Sequence, residues 1–418
     1  MENLPERFIP VQKKFFDFLH PMWYTPLCTN NECSFYQKEA FYEASLYNCS
    51  LRLSVCGGCG LPVNPMGASK KRGALLWVLM SLALLCSACS TPRQGKEPKS
   101  AVYYTYFDTV SCIYSYAEDS ESRFADNTAI AAGVLEDYHR LFDIYHEYAG
   151  INNLCTVNRL AGGAPVAVDQ RLIDFLRYAQ QMYEITGGEM NIMMGSVLKL
   201  WHESYVRAMD DPDMASIPDP RAIAAASVFT DPALLEIDEE ACTVRITDPN
   251  ASIDVGALGK GYATEQAALA LQDAGVTGYV LNIGGNIRIL GSKPDGSGWR
   301  TGVRNPADPD GAYARYLDLH DISCVTSGNY ERYFTVDGVR YHHIIDSDTH
   351  YPADYFSSVT VLSADSAMAD ALSTALFCMP YEDGLALAES LDGVQVLWIL
   401  PDGRQLSTKG LEAVTVSP

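Results

Sequence analysis

Four clusters in this chain combine residue types and spacings that chemistry requires. The first is Asp254-Val-Gly256-Ala257-Leu-Gly259-Lys260-Gly261-Tyr262, just ahead of a segment with helical character. A glycine-rich turn feeding a helix points backbone amides at a phosphate, and Lys260 adds a positive charge beside them. A turn capped by an Asp side chain would look the same without any ligand. The second cluster, Asn282-Ile-Gly284-Gly285-Asn286, ends the apolar run Tyr279–Leu281. Paired glycines at a strand end admit a ligand, a second backbone, or simply a bulge. The third runs from Thr326-Ser-Gly328-Asn-Tyr330 and Arg332 to Tyr341-His342-His343-Ile344-Ile345-Asp346. Here His343 is the candidate proton acceptor, and it reads equally as a hydrogen-bonded structural histidine; Asp346 could fill the same role or orient His343. The fourth is Ala369-Asp370-Ala-Leu-Ser373-Thr374. Asp370 and Thr374 stand at i, i+4, so their oxygens share one helical face and could hold one hard cation. The alternative is a Thr bonded back to the preceding turn beside a solvated Asp.

These clusters, in this order over about 120 residues, together with Asn191-Ile-Met-Met-Gly195 and its continuation to Trp201, resemble the ApbE family of flavin transferases, many of which are lipoproteins. The resemblance runs from about Tyr104 to the C-terminus. Asp254–Glu265 matches the family's DxGgxxKGyaxD-type motif, Leu281–Asn286 its nlGGN motif, the third cluster its TSGxYxR and HIID motifs, and Ala369–Ala375 its ADALxTA motif. The resemblance implies Mg2+ held by Asp370, Thr374 and the backbone carbonyl of Ala257. It implies FAD contacts at Asp254, Lys260 and Ile344, at Glu189, Met190 and Asn191, and at Tyr145 as a ring that stacks on flavin or adenine. Phe107 stands where the family commonly has Met. The implied reaction moves FMN from FAD to a Ser or Thr hydroxyl of an acceptor protein and releases AMP. As acceptor the resemblance suggests an exported flavoprotein subunit of a membrane redox complex, or an acceptor domain encoded nearby. Two other readings stay open: a Mg-dependent FAD pyrophosphatase in which water replaces the hydroxyl, and a non-catalytic FAD-binding lipoprotein. Departures from the family pattern fall at His350, which replaces a glycine, and at Met190-Asn191; the metal pair is intact.

The elements that must position these residues alternate irregularly, without internal repeats. Strand character runs over Ala101–Tyr116, Leu235–Ile246, Gly278–Leu290, Ile322–Ser327, Tyr333–Val336, Ser357–Leu362 and Gly393–Leu400. Helical periodicity runs over Ala129–Tyr148, Gln170–Thr186, Lys260–Ala274, Ala367–Phe377 and Tyr381–Leu391. Asp210–Pro220 reads as a loop. The pattern predicts an α+β fold, an ApbE-like domain of mixed sheets with packed helices over 101–418, rather than a doubly wound sheet.

At 418 residues the chain can bury a large core and carry an appendage. Its net charge of −22 argues against nucleic acid as a partner, because a phosphate backbone recruits basic surface. Lys70, Lys71 and Arg72 precede the apolar run 73–89, and residues 90–100 form a polar linker. Residues 66–89 therefore read either as a lipoprotein signal with Cys89 as the lipidated residue, or as an uncleaved anchor. Both place the catalytic part on the outer side of the cytoplasmic membrane. Upstream, Cys28, Cys33, Cys56 and Cys59 are spaced as in a zinc-ribbon-like module, with Zn2+ as its metal. Residues 1–65 are otherwise an extension ahead of a true start at Met66.

Overall fold

A single antiparallel ladder organises the chain. In the computed structural model, residues 98–308 and 311–417 are described in full, with the backbone of Tyr24–Thr29 and Glu32–Gln37. Those two N-terminal segments pair antiparallel and set Cys28 opposite Cys33; Cys56, Cys59 and the 66–89 segment with Cys89 lie outside the described residues. Among the described residues no helix is long and apolar enough to cross a membrane.

Eight strands form the main sheet: β1 (Lys99–Tyr103), β2 (Ser111–Ser115), β3 (Tyr279–Ile283), β4 (Asn286–Leu290), β5 (Ser323–Gly328), β6 (Ser358–Ser363), β7 (Gln395–Ile399) and β8 (Gln405–Ser407). They lie side by side in chain order, and every pairing is antiparallel. The expectation of mixed sheets is therefore corrected in this respect, while the α+β class stands. Period-two alternation explains how one strand feeds two cores. Within β2, Ile113 packs into the larger core, whereas Cys112 and Tyr114 point to a second one with Trp299, Leu317 and Leu397. A three-stranded sheet (Trp299–Val303, Arg315–Leu319, Thr415–Val416) contributes to the second core.

The larger core is built with helices α1 (Glu121–Phe142), α2 (Gln170–Ile185), α4 (Gly259–Asp273) and α5 (Ser366–Cys378). Helix α3 (Gly195–Asp210) packs in a satellite cluster with Trp201, Phe334 and Ile345.

The stretches Leu235–Ile246 and Gly278–Leu290 are each two strands joined by a turn, and two further boundaries differ from expectation for local reasons. Ala101–Tyr116 is two strands, because the chain turns between them through Phe107 and Asp108, both left-handed at φ 54° and 49°. Helix α1 starts earlier, where the Ser120 side chain accepts the Arg123 amide, and ends at Asp143. That carboxylate collects the amides of Tyr145 and His146, at 2.7 and 2.9 Å, so Tyr145 lies on the loop beyond the helix.

Candidate active site

Three elements meet at Asp370. The turn before α4 is tied to itself: Asp254 Oδ1 accepts the Gly256 amide at 2.9 Å, and Lys260 Nζ donates to the Gly256 carbonyl at 2.8 Å. The same Lys260 Nζ stands 4.0 Å from Asp370 Oδ2, which accepts the Gly261 amide at 2.7 Å. Only glycine permits this approach, since a Cβ on Gly261 would lie 2.3 Å from the Asp370 Cβ. From the sheet comes Asn286, directly after the Gly284-Gly285 turn, whose φ values of 56° and 94° suit glycine. On α5, Thr374 Oγ1 lies 3.4 Å from Ser327 Oγ at the end of β5. Ser327 in turn shares a 2.8 Å hydrogen bond with Ser373.

This knot holds negative charge where water is scarce. Burial pushes the Asp370 carboxyl above its usual range, against Lys260, the Gly261 amide and Asn286. Burial raises Asp254 as well, against the Gly256 amide, His202 and Lys260. Asn286 is buried, and its Oδ1 has no hydrogen-bond partner among the described residues. An orphaned carbonyl oxygen, a buried carboxylate and a hydroxyl in one place are the hard donors a small divalent cation takes. No group of three or more His, Cys, Asp or Glu that could hold a metal occurs among the described residues. The donor set is thus sparse and all-oxygen, which suits Mg2+, an ion that keeps waters and takes substrate phosphates as ligands.

Around this floor stand exposed rings. Tyr145 is 57 % exposed, and its ring centroid lies 5.8 Å from that of His202. Crowding and the charges of Asp254 and Asp108 push its phenol up to about 12. The His343 ring is open to solvent yet crowded by protein, and this crowding, with the cations Arg332 and Lys260, pushes its imidazole well below the usual range. Its Nδ1 faces the Arg332 carbonyl oxygen at 3.3 Å. A donor at Nδ1 leaves Nε2 with the lone pair.

The remaining sequence-selected residues make the following contacts. Met190 is buried in the core, and Ile344 is buried with its amide on His342 Nδ1 at 3.2 Å. Asn191 accepts the Met193 amide and donates to the Thr230 carbonyl. Asp346 Oδ1 accepts the amides of Asp348 and Thr349, at 2.9 and 2.7 Å, so this carboxylate shapes a turn. Glu189 accepts the Ser347 hydroxyl at 3.1 Å, and burial, helped by Asp346, pushes it up to about 7. Phe107 donates its amide to His139 Nδ1 and sets its ring edge-on to that imidazole. Ala257 is half-buried in the phosphate-type turn. Sequence reasoning missed His202, carried Ser327 only as part of the third cluster, and read Asn286 only as the end of a glycine turn.

The model of the ApbE family matches residues 107–398, a span that contains all four clusters and the Tyr145 loop. The chain belongs to the ApbE family. Among similar proteins, the FAD:protein FMN transferase of Treponema pallidum is 34 % identical over 272 residues, covering 62 % of this chain and 73 % of that protein. A Klebsiella pneumoniae FAD:protein FMN transferase is 29 % identical over 296 residues, covering 71 % and 87 %. The ApbE protein of Thermotoga maritima superposes with a TM-score of 0.67 at 26 % identity, covering 77 % of this chain and 100 % of that one. The flavin transferase ApbE of Vibrio cholerae gives 0.63 at 25 % identity, covering 76 % and 99 %. Both matches support an α+β fold of helices and antiparallel sheets.

Proposed function

We propose that this ApbE-family chain transfers FMN from FAD to a Ser or Thr hydroxyl of an acceptor flavoprotein, with Mg2+ between α5 and the turn before α4. The observation that carries this reading is the convergence of Lys260, Gly261, Asn286 and Asp370 at one point. It joins a cation and a glycine-rich turn to a buried carboxylate. Asp370, Thr374 and the Ala257 carbonyl are the residues that would hold Mg2+, which supplies charge neutralisation at the phosphates and orients them.

The chain's own groups do the rest. The hydroxyl oxygen of the acceptor attacks the phosphorus on the FMN side of the pyrophosphate. The new phosphoester bond forms as the bridging P–O bond breaks, and AMP leaves with that oxygen. The hydroxyl proton goes to His343 Nε2, free because Nδ1 faces the Arg332 carbonyl. Crowding by protein, with Arg332 and Lys260, holds this imidazole neutral before substrate arrives. The negative charge of the bound pyrophosphate offsets those cations and makes Nε2 a better proton acceptor. Tyr145 and His202 offer exposed rings for a planar substrate ring.

Co-expression with an acceptor domain tests this. Asp370→Ala should lower covalent flavin, read as in-gel fluorescence, by about 100-fold or more, as expected for loss of one electrostatic stabiliser. Undiminished fluorescence would refute it, and rapid FMN and AMP release without acceptor would mark a hydrolase instead. The reading extends to place. The catalytic body sits outside the cytoplasmic membrane, attached through lipidated Cys89 or through an uncleaved 73–89 segment, near an acceptor in a membrane redox complex. Mass spectrometry of the mature N-terminus checks this, and a cytosolic chain beginning at Met1 with no membrane association contradicts it.

A further inference from the structure

The contact between α4, α5 and β4 has two rungs, one helical turn apart. The upper rung is the site itself: Gly261 and Lys260 on α4, Asp370 on α5, Asn286 on β4. The lower rung falls four residues further along α4, four residues back on α5 and two residues along β4. There Glu265 Oε2 accepts the amide of Ser366, the first residue of α5, at 2.7 Å. Arg288 Nε lies 3.2 Å from the same oxygen, and Arg288 Nη1 reaches Asp321 Oδ1 at 3.2 Å. Asn286 and Arg288 are alternate residues of one strand, so they share a face of the sheet. Glu265 and Arg288 are both buried, at 8 % and 5 % exposure.

A buried ion pair is a poor device for stability alone. Its desolvation cost rivals its attraction, and an apolar pair of similar volume commonly packs as well. What a charged pair adds is direction. The Glu265 carboxylate is aimed at a backbone amide on the first turn of α5, where a negative charge suits the helix dipole. It therefore locks the axial position of α5 against α4. That position matters because a Cβ on Gly261 would lie 2.5 Å from the Ser366 carbonyl oxygen, so the helices are at their closest there.

We infer that Glu265 and Arg288 form a positioning pair that holds α5 in the register at which Asp370 and Thr374 present their oxygens to the metal and FAD phosphates. The inference rests on the function proposed above and adds to it how the ligand helix is held. Neither residue touches substrate or ion. A shift of α5 by about 1 Å is enough to misplace ligands and cost roughly 100-fold in rate.

Half-saturating Mg2+ measures the effect, read as the Mg2+-dependent rise in melting temperature with FAD present and, separately, as flavin transfer. Glu265→Gln keeps an acceptor for the Ser366 amide but removes the buried carboxylate beside Arg288 and leaves it the Asp321 carboxylate. The double variant Glu265→Leu/Arg288→Met removes both charges and keeps volume, so it guards against simple misfolding. In both, half-saturating Mg2+ should rise by about tenfold or more, while the double variant without ligands melts close to the native chain. Saturating Mg2+ should restore a large part of the transfer rate, which separates weak positioning from a broken fold. A double variant with native half-saturation overturns the inference and leaves the proposed function standing. A native chain whose melting temperature and flavin transfer both ignore Mg2+ overturns the two together.

Discussion

Replacing Gly261 by Ala sets two effects of opposite sign against each other. In an exposed helix interior, Gly→Ala stabilises by about 1 kcal/mol, because glycine loses more backbone entropy on folding. At Gly261 the added methyl would stand 2.3 Å from the Asp370 Cβ, 2.5 Å from the Ser366 carbonyl oxygen and 3.0 Å from Asp370 Oδ2. Carbon contacts relax near 3.5–4.0 Å, so α5 must retreat by roughly 1.2 Å or more. Overpacking of this kind costs about 1–3 kcal/mol. The retreat also weakens the bond from the Gly261 amide to a charged acceptor, worth about 1.5–3 kcal/mol. After subtracting the propensity gain, Gly261→Ala should destabilise by about 3 kcal/mol, or roughly 5–10 °C in melting temperature. Flavin transfer should fall by about 100-fold, since the displaced residue is Asp370. Gly133, exposed in the middle of α1 with no atom within 4 Å of its added Cβ, is the matched control. Gly133→Ala should stabilise by about 0.5–1 kcal/mol and leave transfer unchanged. Thermal unfolding followed by circular dichroism, with in-gel flavin fluorescence, measures both. If the two variants shift in the same direction, or if Gly261→Ala retains native transfer, the close helix contact is not what sets the position of Asp370.

Two further outcomes follow from backbone and charge. His350 is left-handed at φ 63°, and its carbonyl accepts the Trp201 indole N–H at 3.0 Å. His350→Gly should remove about 1 kcal/mol of strain and raise the melting temperature, since the carbonyl contact belongs to the backbone; a lower melting temperature would show that the imidazole itself contributes. His342 is buried, donating from Nε2 to the Ala353 carbonyl at 2.7 Å while Nδ1 accepts the Ile344 amide at 3.2 Å, and burial pushes its imidazole down. The unfolded chain takes up a proton below about pH 6.5 that the folded chain refuses, so this stability is present above that pH and fades as pH falls, by up to about 1.4 kcal/mol per pH unit. Denaturant midpoints at pH 7.5 and pH 5.5 should therefore differ less in His342→Gln than in the native chain. An unchanged difference refutes the assignment.

Much of the architecture was readable before any coordinates. The stop at Gly187-Gly188, the Asp210–Pro220 loop and the α5 segment lie close to their expected bounds, because glycine, proline and apolar periodicity act locally. The start of α1 was not, since apolar periodicity begins well after the Ser120 cap that nucleates the helix. In the site, the glycines and Asp370 stood out because their residue types are unusual for their positions. His202 did not, since its role depends on α3 lying near the Tyr145 loop, a contact that no local pattern encodes. The same holds for the pairing of Glu265, the last residue of the Asp254–Glu265 motif, with Arg288, which exists only because the sheet brings β4 under α4. Met190 and Asp346 show the converse: motif position marks them, yet one packs in the core and the other organises a turn.

The chain-order ladder of the main sheet has a consequence for how the protein comes into being. Strands β2 and β3 pair as a hairpin would, yet Ser115 and Gly278, which hydrogen-bond at that seam, are 163 residues apart. Helices α1 to α4 are thus an insertion inside one hairpin. During synthesis, N-terminus first, β2 has its outer edge covered by β1 and its inner edge open until β3 arrives. The turn before α4 is already made by then, and the rest of the floor of the site arrives later still, with Asn286, Ser327 and Asp370 entering in that order. Pairings at such separation are slow to close and leave a bare strand edge meanwhile. The interval between β2 and β3 is therefore when the nascent chain most needs protection from other strands, and activity appears only once the last third of the sheet has docked.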